Sequence, residues 1–236
     1  MGVKKRVPRK SSLKKEIQEI LTPTQKIRNF LQANLKQTFF LVGAIIVITA
    51  ALFFWRAYTA GLETKASVLF TDAFSHYAIA IEKENPEEYR TAAQKLNELV
   101  NTYPGTSIGK KALLYLGNCH FALREHNNAT KYYTLFLERS SSNEKTLRAM
   151  AYEGLGYASE EAGKVDKAAE YFKKATEEGP GMNELALMNL ARSYEELRQN
   201  GKAIETYQKA IKDYPQSESV PMARERVAVL SKTPQK

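Results

Sequence analysis

The strongest hydrophobic feature of the chain is an uncharged run from Thr38 to Trp55, TFFLVGAIIVITAALFFW, bracketed by Lys36 and Arg56. As an α-helix its 18 residues would span roughly 27 Å, close to the roughly 30 Å of bilayer hydrocarbon. A helix buried in a soluble domain normally shows a polar stripe over this length, and the run has none. Trp55 and Tyr58 fall where side chains at the far headgroup level would sit. The pattern predicts a transmembrane helix over residues 37–57. The region before the run is longer than the basic region of a cleavable leader, and RAYTAGLETKA after it holds no A-x-A site. The expected element is therefore an uncleaved signal anchor.

Beyond residue 62 the pattern changes to apolar positions three and four apart, and it repeats. In Glu184–Pro215, Leu187, Leu190, Ala191 and Tyr194 are followed by Ala203, Tyr207, Ala210 and Pro215. Moving back 35 residues gives Tyr152, Leu155, Gly156, Ala168, Phe172, Ala175 and Pro180. A further step of 39 gives Leu113, Leu116, Gly117, His120, Ala129, Tyr133 and Phe136. Upstream, Ala92, Leu96, Leu99 and Pro104 repeat the second half, after a helix carrying Phe70, Phe74, Tyr77 and Ile81. Each unit reads as two antiparallel helices joined by a short turn, at Gly163-Lys164 and at Gln199-Asn200-Gly201. Gly117, Gly156 and Ala191 allow the paired helices to approach closely, and large residues fill the space between hairpins. One hairpin cannot bury its apolar face alone, so the units must stack.

This spacing resembles the tetratricopeptide repeat family. Glu184–Pro215 matches every signature position, Ala149–Pro180 departs at Ser159, and the unit from Lys110 departs at Phe136 and Ser141. The first unit diverges most and carries an insertion at Asn85-Pro86-Glu87-Glu88, itself a helix cap. Pro221–Lys232, with Ala223, Val227 and Leu230 on one side, is expected to close the stack. The implied fold is all-α: one N-terminal transmembrane helix, then an α-solenoid over 62–236 of about four repeats and a capping helix.

The resemblance also implies where partners bind. Stacks of these repeats hold peptides in a concave groove lined by the first helix of each unit. In this register the groove would carry Lys111, Leu114, Asn118 and Phe121, then Met150, Glu153, Tyr157 and Glu160, then Leu185, Met188, Arg192 and Glu195. A clamp for a C-terminal carboxylate needs several basic and amide groups at set positions, and only Lys111 and Asn118 fit. Apolar and Met residues flanked by Glu suit an extended or unfolded segment instead.

Charge then separates the two ends of the chain. Lys+Arg 35 against Asp+Glu 26 gives +9 and a pI near 9.4, which taken alone suggests a nucleic-acid binder. Residues 1–36 hold ten of those cations (Lys4, Lys5, Arg6, Arg9, Lys10, Lys14, Lys15, Lys26, Arg28 and Lys36) against Glu16 and Glu19. The remainder is near neutral, so the repeats lack the field that nucleic acid requires. The positive-inside rule instead puts residues 1–36 in the cytoplasm and the repeats across the membrane, in the periplasm if the membrane is a bacterial inner membrane. Within the arm, Thr22-Pro23-Thr24-Gln25 reads as a helix start with a capping box, followed by Ile27, Phe30, Leu31 and Leu35. Leu13, Ile17, Ile20 and Leu21 mark an earlier amphipathic stretch. The arm reads either as an interfacial or partner-docking helix, or as a basic segment that only fixes topology.

No arrangement for catalysis emerges. Cys119 is the single cysteine, which excludes an internal disulfide and a multi-cysteine metal cluster. His120 falls where the repeat packs an aromatic ring, and its spacing of six from His126 suits no shared metal. Cys119 and His120 are helix neighbours whose side chains diverge, so they form no nucleophile pair. Neither a phosphate-binding glycine loop nor a G-x-S-x-G elbow occurs. The expectation is no enzyme, no cofactor and no metal.

The layout as a whole resembles the ancillary subunit of the bacterial SecYEG translocon: a basic arm, a span ending in Trp-Arg, an Ala-rich helix containing LETKASVLFTDAF, then repeats. DYPQSESVPMARERVAVL also resembles cell-envelope relatives, the Tol-Pal-associated coordinator and the outer-membrane assembly lipoproteins, which lack an uncleaved anchor or carry a lipid on Cys. The resemblance implies a scaffold that binds emerging polypeptides or periplasmic chaperones beside translocon subunits. Two alternatives stand: an envelope scaffold for division, wall synthesis or outer-membrane assembly, and an organelle import receptor. The sequence leaves the oligomeric state open.

Overall fold

The computed structural model describes residues 22–178 and 183–232. The stretch marked by Leu13, Ile17, Ile20 and Leu21, and Pro180 at the end of its repeat, lie outside the described residues. Among the described residues the chain forms ten α-helices and no strand. They are α1 (Pro23–Ala33), α2 (Leu35–Lys83), α3 (Pro86–Thr102), α4 (Ser107–Ala122), α5 (His126–Arg139), α6 (Lys145–Glu161), α7 (Val165–Glu178), α8 (Asn183–Glu196), α9 (Asn200–Asp213) and α10 (Val220–Lys232). The all-α solenoid expected from the repeats is the observed fold. Contact density separates two compact units, with the boundary between Tyr58 and Thr59.

In the first unit, α1 starts where the sequence placed it. Thr22 accepts from the Gln25 backbone and the Gln25 side chain accepts from the Thr22 backbone, completing the capping box. α2 contains an 18-residue window of mean hydropathy 2.4 with no residue buried. Phe39, Phe40, Phe53 and Phe54 in this stretch are each at least 70% exposed. By length and composition, α2 is apolar enough to cross a membrane.

The second unit is a series of helical hairpins. Asn85 caps α3 by accepting from Glu87 N, with Pro86 at the first helical position, as the insertion predicts. The turns inside the next three hairpins share one backbone device. Arg124, Gly163 and Arg198 have φ of 61°, 68° and 57°. In each, the residue after the left-handed position donates to the carbonyl five residues back: Glu125 to His120, Lys164 to Ser159 and Gln199 to Tyr194, all at 2.8 Å. The left-handed residues themselves donate three residues back, to Phe121, Glu160 and Glu195. These paired bonds satisfy carbonyls at the end of the first helix and hold an arginine in a conformation that glycine adopts more easily. The third turn therefore lies two residues earlier than expected, at Leu197-Arg198-Gln199, and Asn200 and Gly201 already belong to α9.

The core runs along the hairpins through a repeated contact. Gly117, Gly156 and Ala191 on the first helices are each followed sixteen residues later by an aromatic residue on the second helix, Tyr133, Phe172 and Tyr207. All three rings are at most 3% exposed. A Cβ on Gly117 would lie 2.5 Å from the Tyr133 ring, and one on Gly156 2.4 Å from the Phe172 ring. Tyr133 is met by a second helix as well: a Cβ on Gly154, in the next hairpin, would come within 2.4 Å of it. Phe136, which departs from the repeat pattern, is fully buried in the same core.

The first hairpin uses a different device. The buried residues of α2 are Ala66, Ala73 and Ala80, seven apart and fully enclosed. Phe74 and Ile81, expected among the packing residues, are 40% and 53% exposed. Phe70, Phe74 and Tyr77 instead gather around Tyr115 of α4, with ring centroids 5.3–5.4 Å apart. A stripe of alanines lets the helices approach closely, and the large rings are left beside the contact.

The glycine contacts lead to a direct test. Gly156→Ala should destabilise the repeat unit by about 1–3 kcal/mol, because overpacking against Phe172 outweighs the helix preference of alanine. Gly201→Ala, where a Cβ meets nothing within 4 Å, should leave stability unchanged or raise it slightly. Urea unfolding of both variants checks this, and equal effects would contradict the packing account.

Candidate interaction site between the first helices

The close approach of α4, α5 and α6 leaves a cavity of about 310 Å³ beside the contact. Its wall is built from Tyr77 of α2, Tyr89 of α3, Asn118 and Phe121 of α4, Tyr133 of α5, and Met150, Glu153 and Tyr157 of α6. Five of the twelve residues expected to face a peptide meet here: Asn118, Phe121, Met150, Glu153 and Tyr157. They are brought together because equivalent positions on consecutive first helices lie side by side in a stack.

The cavity's polar groups are fixed in sequence. Tyr133 Oη donates to Asn118 Oδ1 at 2.8 Å, and Asn118 Nδ2 donates to Tyr77 Oη at 3.2 Å. The amide is held from both ends, and at its oxygen by the ring that Gly117 and Gly154 admit. Burial pushes the Tyr77 hydroxyl up to about 12, so it remains protonated at neutral pH. Asn189 of α8 donates to Tyr157 Oη at 2.6 Å and ties the next first helix to the same wall.

The other expected residues have different places. Leu114 is fully buried and Met188 nearly so, and both belong to the core. Lys111 is half-buried with its Nζ 5.9 Å over the Phe70 ring, and Leu185 is exposed. Glu160 and Arg192 form a two-pronged pair at 2.9 and 3.0 Å across α6 and α8. Glu195 accepts from Arg226 Nε at 3.0 Å across α8 and α10. Burial pushes Glu195 upward, but its bonds to Arg226 and Tyr207 outweigh this and hold it below the usual carboxylate range. These charges link one repeat to the next.

Glu153 is the exception. It is 5% exposed, its Oε1 has no hydrogen-bond partner, and burial alone pushes it up to about 7. The sequence placed Glu153 on this face but gave no sign that Glu160 and Glu195 would be neutralised and Glu153 left bare. It also left Tyr77, Tyr89 and Tyr133 out of the site, with Tyr77 and Tyr133 placed among the packing residues of the repeats. The usable signal was the hydroxyl of Tyr133 where the next repeat has Phe172: a buried phenol needs a partner.

Cys119 is fully buried and its thiol is pushed up to about 12, which keeps it protonated. His120 bonds Glu125 Oε2 through Nδ1 at 2.6 Å and stacks on Tyr132 at 5.1 Å. Among the described residues no group of three or more His, Cys, Asp or Glu is placed to hold a metal ion.

Two family profiles match the chain, each described as tetratricopeptide repeat: one at residues 111–142 and 185–217, the other at 141–183. The search of curated proteins finds no match. Among solved structures, a tetratricopeptide repeat protein from Parabacteroides merdae superposes with a TM-score of 0.55 at 16% identity, covering 69% of this chain and 60% of that one. The kinesin light chain TPR-like repeats of Podosopora anserina give 0.55 at 15% identity, covering 69% and 86%. MamA gives 0.53 at 20% identity, covering 64% and 81%. At these identities the likeness is one of fold.

Glu153 carries a pH signature. Its folded value of about 7 lies above its ordinary 4.5, so ionisation opposes folding. The cost is absent below about pH 4.5, grows as pH rises to about 7, and is full above it. At 1.36 kcal/mol per pH unit it reaches about 3 kcal/mol. Glu153→Gln should therefore stabilise the protein by up to that amount at pH 8 and by almost nothing at pH 4.5, measured by urea unfolding. A gain independent of pH would contradict the assignment.

Proposed function

Because the chain is a member of the tetratricopeptide repeat family, whose stacks are protein–protein interaction scaffolds and generally not enzymes, we propose that it is a membrane-anchored scaffold that holds extended polypeptide segments. The observation that carries this reading is the cavity of Asn118, Phe121, Met150, Glu153 and Tyr157, built from consecutive first helices. It offers aromatic and Met surface beside fixed hydrogen-bonding groups, which suits segments of varied sequence.

The proposal extends to place and partners. The apolar window of α2 anchors the chain in a bacterial inner membrane, the basic residues 1–36 stay in the cytoplasm, and the repeats work in the periplasm. There the protein would stand beside the translocon and receive emerging polypeptides or the chaperones that escort them. Anchoring raises the effective concentration of a weak binder where its substrates appear, without any added contact.

Purification in mild detergent should retrieve translocon subunits or periplasmic chaperones, and an alkaline phosphatase reporter fused after Lys236 should be active. Recovery of neither partner class would overturn the translocon reading, and an inactive but stable reporter would overturn the orientation.

A further inference from the structure

The acids on the first helices differ in one respect. Glu160 and Glu195 each meet an arginine of the following repeat, whereas Glu153 meets none. It lies at the wall of a cavity whose lining contains no basic residue. A carboxylate this buried costs free energy unless a cation or hydrogen-bond donor reaches it. Aromatic rings make up most of the same lining, with Tyr77, Tyr89, Phe121, Tyr133 and Tyr157 beside Asn118 and Met150. Aromatic rings attract a cation through their quadrupole and pack the alkyl stem of a long basic side chain. About 310 Å³ is at the low end of pockets that hold small ligands, enough for one side chain and far too little for a folded partner.

We propose that this cavity is the subsite for a single Lys or Arg side chain of a bound peptide, with Glu153 as the counter-ion and the surrounding rings as its cage. The inference rests on the peptide-binding reading above and adds to it a rule of selection. Segments that place one basic residue among apolar ones are preferred, and acidic segments are rejected. Phe121 and Tyr157 border the cavity from α4 and α6, so an extended segment can seat its basic residue between two repeats. Binding then supplies the partner that Glu153 lacks, which makes the discrimination against a neutral side chain larger than at an exposed acid.

The test uses 13-residue peptides tiled across the α-lactalbumin sequence, made in two sets. One set is unaltered; in the other each Lys becomes norleucine and each Arg becomes citrulline. The labelled full chain in detergent should be retained at least fivefold more strongly on the basic peptides than on their neutral counterparts. Glu153→Gln should equalise the two sets, while Glu138→Gln, at an exposed acid on α5, should preserve the difference. Equal retention of both sets by the unaltered protein overturns the cation subsite and leaves the peptide-binding reading intact. So does a preference that survives Glu153→Gln. Retention of neither set overturns the peptide-binding reading and this inference with it.

Discussion

The repeat unit depends on an aromatic ring lying directly on helix backbone. Tyr133 contacts Gly117 within its own hairpin and Gly154 in the next, at distances where neither helix could carry a Cβ. One side chain therefore sets both the spacing inside a repeat and the spacing between repeats. Phe172 against Gly156 repeats the first half of that contact, and Ala191 and Tyr207 occupy the corresponding places in the third hairpin, both buried in one core cluster. Dense packing leaves little slack at such a contact, so the stacking geometry is fixed locally and propagates from neighbour to neighbour.

The same ring connects packing to the site. Its hydroxyl reaches through the contact to Asn118, and Asn118 reaches Tyr77. The polar wall of the cavity is thus positioned by the core rather than by loops. Further along, Tyr157–Asn189, Glu160–Arg192 and Glu195–Arg226 join successive repeats through side chains at the corresponding helix faces. Most polar groups that a stack brings together are consumed by holding it together. Glu153 is not, and it is enclosed where water cannot fully compensate it.

The fold was legible because a repeat states its rule several times. Gly117 and Gly156 stand out as small residues at a fixed place among large ones, and both prove to be contact points. The third turn was misplaced by two residues because a glycine is the usual signal for a left-handed residue, and here Arg198 takes that role while Gly201 lies in a helix. In the first hairpin the large rings drew the eye, but Ala66, Ala73 and Ala80 carry the buried contact. The site was legible to the level of a helix face. A face does not say which residues are exposed: Met150 and Leu185 share a repeat position, yet one is half-buried and the other is exposed. Nor does it say which acids are paired, since Arg192 and Arg226 come from neighbouring helices.

The central claim is that polypeptide is held at the first-helix wall and not on the second helices. In-cell photo-crosslinking from a benzoylphenylalanine placed at Phe121 or Tyr157, compared with one at Lys209 on α9, examines it most directly. The account predicts polypeptide adducts from the first two positions and none from Lys209; adducts from Lys209 with none from Phe121 or Tyr157 would contradict it.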